Sequence, residues 1–184
     1  MKTDEVKLGE IATVKGGKRL PKGENLISIP NKHPYIRVRD LNNKRKLELN
    51  DSFEYVDAET QSKISKYVVA TGDIILSIVG TIGLVAIVGD TLDGANLTEN
   101  CVKLTALHGV DQDYLYYFLK STYGQQEIKR GTVGAVQAKL PIKNIQDITL
   151  TLPEYNIQQK IASVLVTLDE KIECNQKINE NLAA

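Results

Sequence analysis

Toward the carboxy terminus, apolar side chains recur at steps of three and four: Ile157, Ile161, Val164/Leu165, Leu168, Ile172, Ile178 and Leu182. That spacing predicts a single apolar stripe along a helix. Pro153 closes what precedes it, and no Gly or Pro interrupts Glu154 to Leu182. The other face carries Gln158, Gln159, Lys160, Glu170, Lys171, Glu173, Lys177 and Glu180. A helix of about 28 residues reaches ~42 Å, as wide as a small domain, so part of it is expected to project. Asn175 falls on the stripe, where a polar residue lowers stability but fixes register in a helix pair. Periodicity alone fits a helix packed on its own domain and a helix packed on a partner.

The rest of the chain reads mostly as strands. "LGEIATVKGG" predicts a turn of helix running into a strand, and "KRLPKGENLISIPNKHP" a long loop. "YIRVRDL" alternates, which predicts a strand with Tyr35, Arg37 and Arg39 on one face and Ile36, Val38 and Asp40 on the other. "DAETQSKI" predicts a short helix capped by Asp57. "GDIILSIVGTIGLVAIVGD" is rich in β-branched residues and predicts a buried hairpin reversing at Gly80-Thr81, with Ile75, Ile78, Ile82 and Val85 in the core. "ENCVKLTAL" is a further strand. "DQDYLYYFLKSTYGQQEIKRG" is helical, opened by Asp111 or Asp113, stopped by Gly131 and broken at Gly124. "TVGAVQAKLPIKN" is a loop, and "IQDITLTLP" a last strand before the terminal helix. Strands come first and helices last, which is an α+β pattern.

Composition narrows the function less than charge placement does. The 184 residues carry 23 Lys+Arg against 23 Asp+Glu, so no global field draws the chain to nucleic acid. Locally the balance breaks. "KGGKRLPK" and "KHPYIRVRDLNNKRK" are basic, with Asp40 the one acid in either, while Glu48 to Glu59 holds Glu48, Asp51, Glu54, Asp57 and Glu59 and no base. The two cysteines, Cys101 and Cys174, lie far apart without metal spacing, which suits a reducing compartment. The charged start "MKTDEVKLGE" has no signal-peptide pattern, and "IILSIVGTIGLVAIVG" is too short for a bilayer. The expected location is cytoplasmic, with no membrane partner.

No catalytic constellation emerges. His33 and His108 have no acid at triad or metal spacing. "GTIG" and "GTVG" read as tight turns, no phosphate-cradling loop precedes a Lys-Ser/Thr pair, and the acidic run reads as solvated surface rather than a metal site. No strand-helix alternation suits a methyltransferase cofactor fold. The basic loops carry the better signal. Lys18, Arg19 and Lys22 stand on a Gly/Pro loop; Tyr35, Arg37 and Arg39 share the strand face, followed by Asn42, Asn43, Lys44 and Arg45. Arg and Asn make bidentate contacts to guanine and adenine edges, and Lys and Arg bind phosphates. Gln137 and Lys139 in the later loop are weaker candidates. Composition alone also fits ordinary surface charge balanced by the acidic run.

Five segments together, "LGEIATVKGG", "YIRVRDL", "VATGDIILSIVGTIGLVAIV", "LTENCVKLTAL…YLYYFLKS" and "VQAKLPIKNIQDITLTLP…QQKIASVLVTLDEKI", resemble in order and spacing the DNA-specificity subunit of Type I restriction-modification systems. The last segment, a strand, Leu-Pro, a Gln pair and a helix with Leu-Asp, is the most specific. The resemblance implies a non-catalytic subunit with two target-recognition domains, each followed by a long helix, the two helices pairing antiparallel. Each domain reads half of a split target in double-stranded DNA. Modification subunits methylate adenine from S-adenosylmethionine, and restriction subunits join and use ATP and Mg2+. This chain holds one recognition unit, residues 1–152, and one helix, residues 153–184. It is expected to be half of a longer protein or a half-length subunit. Ile161, Leu165, Leu168, Ile172, Asn175 and Leu182 are then expected to pair with a second copy or the missing half, in an antiparallel coiled coil. The expected class is α+β, with no cofactor and no metal held by this chain. The alternative function is an assembly scaffold for modification subunits without DNA binding.

Overall fold

The Ile74–Ser77 and Val85–Val88 strands are buried on both faces, and their side chains divide by parity between two cores. Ile74, Leu76, Val85 and Ile87 enter one, and Ile75, Ala86 and Val88 the other. A strand that feeds two cores reads as continuously apolar, which is why this hairpin is plain in the sequence. The structure is a computed structural model describing residues 3–41 and 44–182.

In chain order the elements are β1 (Thr3–Lys7), α1 (Leu8–Ile11), β2 (Thr13–Gly16), β3 (Pro34–Ile36), β4 (Lys46–Leu47), β5 (Glu54–Tyr55), α2 (Ala58–Ile64), β6 (Ile74–Ser77), β7 (Val85–Val88), β8 (Asn96–Leu97), β9 (Cys101–Thr105), α3 (Gln112–Lys120), α4 (Thr122–Gly131), α5 (Ile142–Gln146), β10 (Thr149–Pro153) and α6 (Tyr155–Leu182). The central sheet has the order β2-β9-β6-β7-β4. It is antiparallel except where β4 joins β7. One face carries the larger core beneath α1, α3, α4 and α5; a small sheet, β5-β3-β8, adjoins the other core. β1 pairs antiparallel with β10, tying the start of the chain to the segment before α6. This is the expected α+β class, with the long terminal helix in place.

Local expectations fare unevenly. Asp57 caps α2 by accepting the Thr60 N–H at 2.7 Å. The break between α3 and α4 falls at Ser121, not Gly124. Ser121 Oγ accepts the Gly124 N–H at 3.1 Å, so a new cap starts there, while a Cβ on Gly124 would collide with the Phe118 carbonyl. The predicted strand through Asp40 is also corrected. β3 ends at Ile36, and Val38–Asp40 form a 3-10 turn because the Asp40 carboxylate accepts the Arg37 backbone N–H at 2.8 Å.

α6 seats its first half on α3, through residues off the apolar stripe. Gln158, placed by periodicity on the polar face, is 1% exposed. Its Oε1 accepts the Asp111 N–H at 2.9 Å, and its Nε2 donates to the carbonyls of Gly109 at 3.2 Å and Pro153 at 2.9 Å. Ala162 is buried, and Tyr117 donates its hydroxyl to Asp169 at 2.7 Å. Residues 158, 162 and 169 lie together on the helix at about 100° per residue, roughly a third of a turn from the stripe. The stripe therefore faces outward: Ile161, Val164, Leu168, Ile172, Ile178 and Leu182 are exposed, as is Asn175, and Leu165 is half-buried at its border.

Candidate nucleic-acid interface

After β2 the chain is pinned against the connection between β8 and β9. The Gly17 N–H donates to the Cys101 carbonyl at 3.1 Å and the Lys18 N–H to the Leu97 carbonyl at 2.8 Å. The buried Tyr35 donates its hydroxyl to the Lys18 carbonyl at 2.7 Å. A Cβ on Gly17 would collide with the carbonyls of Leu97 and Thr98, so this approach requires glycine. Arg19 leaves this anchored backbone and donates from Nε to Glu99 Oε1 at 2.6 Å, and Thr98 Oγ1 donates to Glu99 Oε2 at 3.0 Å. Burial opposes ionisation of Glu99, but hydrogen bonds from Arg19, the backbone N–H and Thr98, with the Arg19 charge, together outweigh it and hold its carboxyl below the usual range. Lys18 lies over the Tyr67 ring at 5.6 Å. Lys22 is exposed, with no ion pair to any described residue.

The 3-10 turn changes what the next basic segment offers. Tyr35 is only 3% exposed, so it does not share an open face with Arg37 and Arg39. Arg37 is spent within the fold: Nε bonds Asp40 at 3.2 Å, a second nitrogen reaches Asp40 at 3.5 Å and the third meets Glu54. Arg39 is more exposed and shares Glu54 through one terminal nitrogen at 2.6 Å. The Arg37 hydrogen bond is the main reason the Glu54 carboxyl is held below its ordinary range.

The loop and the turn together form a groove of about 380 Å³ lined by Arg19, Arg37, Arg39, Thr98, Glu99 and Asn100, with Leu20, Tyr35 and Val38. Thr98, Glu99 and Asn100 are no part of the basic runs; in the sequence they are marked by the polar run "TEN" ahead of β9, within a segment that carries the resemblance. Asn100 also ties the groove's edge to the hairpin: its carbonyl accepts the Ile78 N–H at 2.8 Å and the Val79 N–H at 3.3 Å. Val79 in turn bridges Lys139. Gln137 and Lys139 are exposed on that last loop.

Lys44 and Arg45 stand elsewhere. They line a second groove of about 370 Å³ opposite Asp169, Glu170 and Glu173 of α6. Arg45 is committed to Asp113 in the first turn of α3, at 2.6 Å. Asn42 and Asn43 lie outside the described residues. Among the described residues, no group of three or more His, Cys, Asp or Glu is placed to hold a metal ion, and no helix is long and apolar enough to cross a membrane. Cys101 and Cys174 are both free; burial pushes the Cys101 thiol up to about 12.

The fold is shared with solved proteins of known class. The Type I restriction-modification S subunit of M. genitalium matches 98% of this chain and 42% of its own, with a TM-score of 0.68 at 18% identity. The HsdS subunit of Thermoanaerobacter tengcongensis matches 96% of this chain and 39% of its own, with a TM-score of 0.69 at 16% identity. In sequence, the Type I restriction enzyme MjaIX specificity subunit of Methanocaldococcus jannaschii is 28% identical over 149 residues, 81% of this chain and 34% of that protein. The chain thus spans about a third of the length of the curated relative that it matches. The family model of the Type I restriction modification DNA specificity domain matches residues 2–184, and the chain belongs to that family.

Proposed function

We propose that this chain is a non-catalytic DNA target-recognition unit, residues 1–152, joined to a spacer helix, residues 153–184. It reads one half of a bipartite target. The observation that supports this most directly is the groove bringing Arg19, Arg37 and Arg39 together from separate segments, beside the loop of Gln137 and Lys139, in a chain of the DNA-specificity family. The outward stripe of α6 pairs with a second copy or with the other half of a longer protein. Adenine-methylating modification subunits dock on the assembly and restriction subunits join through them. S-adenosylmethionine, ATP and Mg2+ belong to those partners. The cytoplasm is the compartment such an assembly requires.

One observation favours a second reading, an assembly scaffold that does not bind DNA. The groove's arginines face Glu99, Glu54 and Asp40, so the cationic field there is largely cancelled. Mapping methylated adenines in cells that express the chain with modification subunits separates the two. A motif that depends on the chain's groove supports recognition. Methylation that persists on the same sites when the groove is altered supports the scaffold. Methyl transfer or cleavage by the chain alone, given DNA, Mg2+ and labelled S-adenosylmethionine, would reject both.

A further inference from the structure

Resting on that reading, we propose that Arg19 reads the major-groove edge of a guanine, and that Glu99 is the residue that positions it. Three arginines line the groove, and only one keeps its fork free. Arg37 has all three nitrogens engaged by Asp40 and Glu54. Arg39 has one terminal nitrogen on Glu54. Arg19 is held through Nε alone, its side chain 79% exposed, and neither terminal nitrogen bonds a described residue. Two parallel N–H donors on one rigid plane are what guanine O6 and N7 accept.

The backbone beneath Arg19 is fixed before DNA arrives. Gly17 and Lys18 are hydrogen-bonded to Cys101 and Leu97, and Tyr35 holds the Lys18 carbonyl. Glu99 then removes rotamer freedom from a long side chain, and Thr98 orients Glu99 in turn. An arginine ordered in advance loses less entropy on contact and tolerates less error in the base it meets.

Charge decides between base and phosphate. An arginine serving as a phosphate anchor works through net positive charge. The Arg19–Glu99 pair has none, and its carboxylate repels a phosphate brought alongside. A directed donor pair on a neutral unit suits a neutral base edge, where geometry rather than charge carries the discrimination.

The test uses the full chain co-expressed with modification subunits and a library of duplexes with a randomised core. The wild type is expected to enrich a motif containing a guanine at which Arg19→Lys loses preference roughly five- to hundredfold, other positions keeping theirs. Replacing that guanine with 7-deazaguanine, which lacks the N7 acceptor, is expected to weaken the wild type and leave Arg19→Lys unmoved. Glu99→Gln is expected to bind random duplex more tightly, having lost a repulsive charge, while discriminating less at that one position. A Glu99 of merely structural importance would weaken both, and that outcome removes its positioning role. Arg19→Lys that keeps the whole motif, or that loses affinity equally for every duplex, overturns the guanine assignment and leaves target recognition standing. A wild type that enriches no motif rejects target recognition, and the assignment with it.

Discussion

Gln158 and Gln159 are neighbours of one residue type, yet one is buried and the other exposed. Periodicity put both on the polar face, since a buried glutamine is legible only through the groups it satisfies. Here they are one N–H and two carbonyls contributed by residues 109, 111 and 153. Gln158→Leu removes the partner of all three, and the Pro153 carbonyl, whose bond is buried, costs roughly 1–3 kcal/mol when stranded. A loss of roughly 1–3 kcal/mol in a urea melt is expected, against almost none for Gln159→Leu. Gly17→Ala tests the loop below Arg19. Overpacking against carbonyls that cannot retreat is expected to cost ~1–3 kcal/mol by the same measurement. Acid should loosen this region as well. The carboxyls of Glu54 and Glu99 are held below their usual value of 4.5. Their contribution is therefore complete above that pH and lost as pH falls through the lowered values. Urea midpoints at pH 7 and pH 3 should differ less in Glu54→Gln/Glu99→Gln than in the wild type.

Elements were readable wherever one physical signal dominated. β6, β7 and α6 declare themselves by a continuous apolar run and by a helical period. β1 does not: "TDEVK" is polar and its strand character comes from β10, far along the chain. β4, β5 and β8 are two residues each and exist only through their neighbours. The turn at Val38–Asp40 defeated alternation because one carboxylate, Asp40, offered the backbone a local partner. That turn also shapes the candidate site: Arg37 and Arg39 reach the groove from it, while Tyr35 supports the groove from beneath. At α6 the periodicity found the outward stripe and missed the face that holds the helix down. Ile161→Asp/Leu168→Asp/Ile172→Asp alters exposed positions and spares Gln158, Ala162 and Asp169. A circular dichroism melt of this triple variant should follow the wild type within a few degrees at high dilution.

For the whole molecule, the outward stripe sets what self-pairing is expected. A stripe of Ile161, Val164, Leu168, Ile172, Ile178 and Leu182 left open is an aggregation hazard unless covered. Burying a Leu or Ile fully contributes ~1.5–3 kcal/mol, and these are already about half covered, so each adds about 1 kcal/mol. Two such helices gain on the order of 12 kcal/mol against an association cost of at least about 4 kcal/mol. What remains corresponds at best to micromolar affinity. Self-pairing is thus expected to depend on concentration, with further partners needed to hold it at lower levels. Light scattering from about 1 to 200 µM should show the mass rising from monomer toward dimer in the wild type. The triple Asp variant should stay monomeric throughout. Asn175→Leu should shift the rise to lower concentration and yield mixed species, because a polar stripe residue fixes register at a cost in stability. A wild type that is monomeric across the range would leave the stripe to a different chain or to another segment of a longer protein. An antiparallel dimer would place two recognition grooves about a two-fold axis, so its enriched motif should be two inverted half-sites around a fixed gap. A motif with unrelated halves from this chain alone would rule out the symmetric pairing.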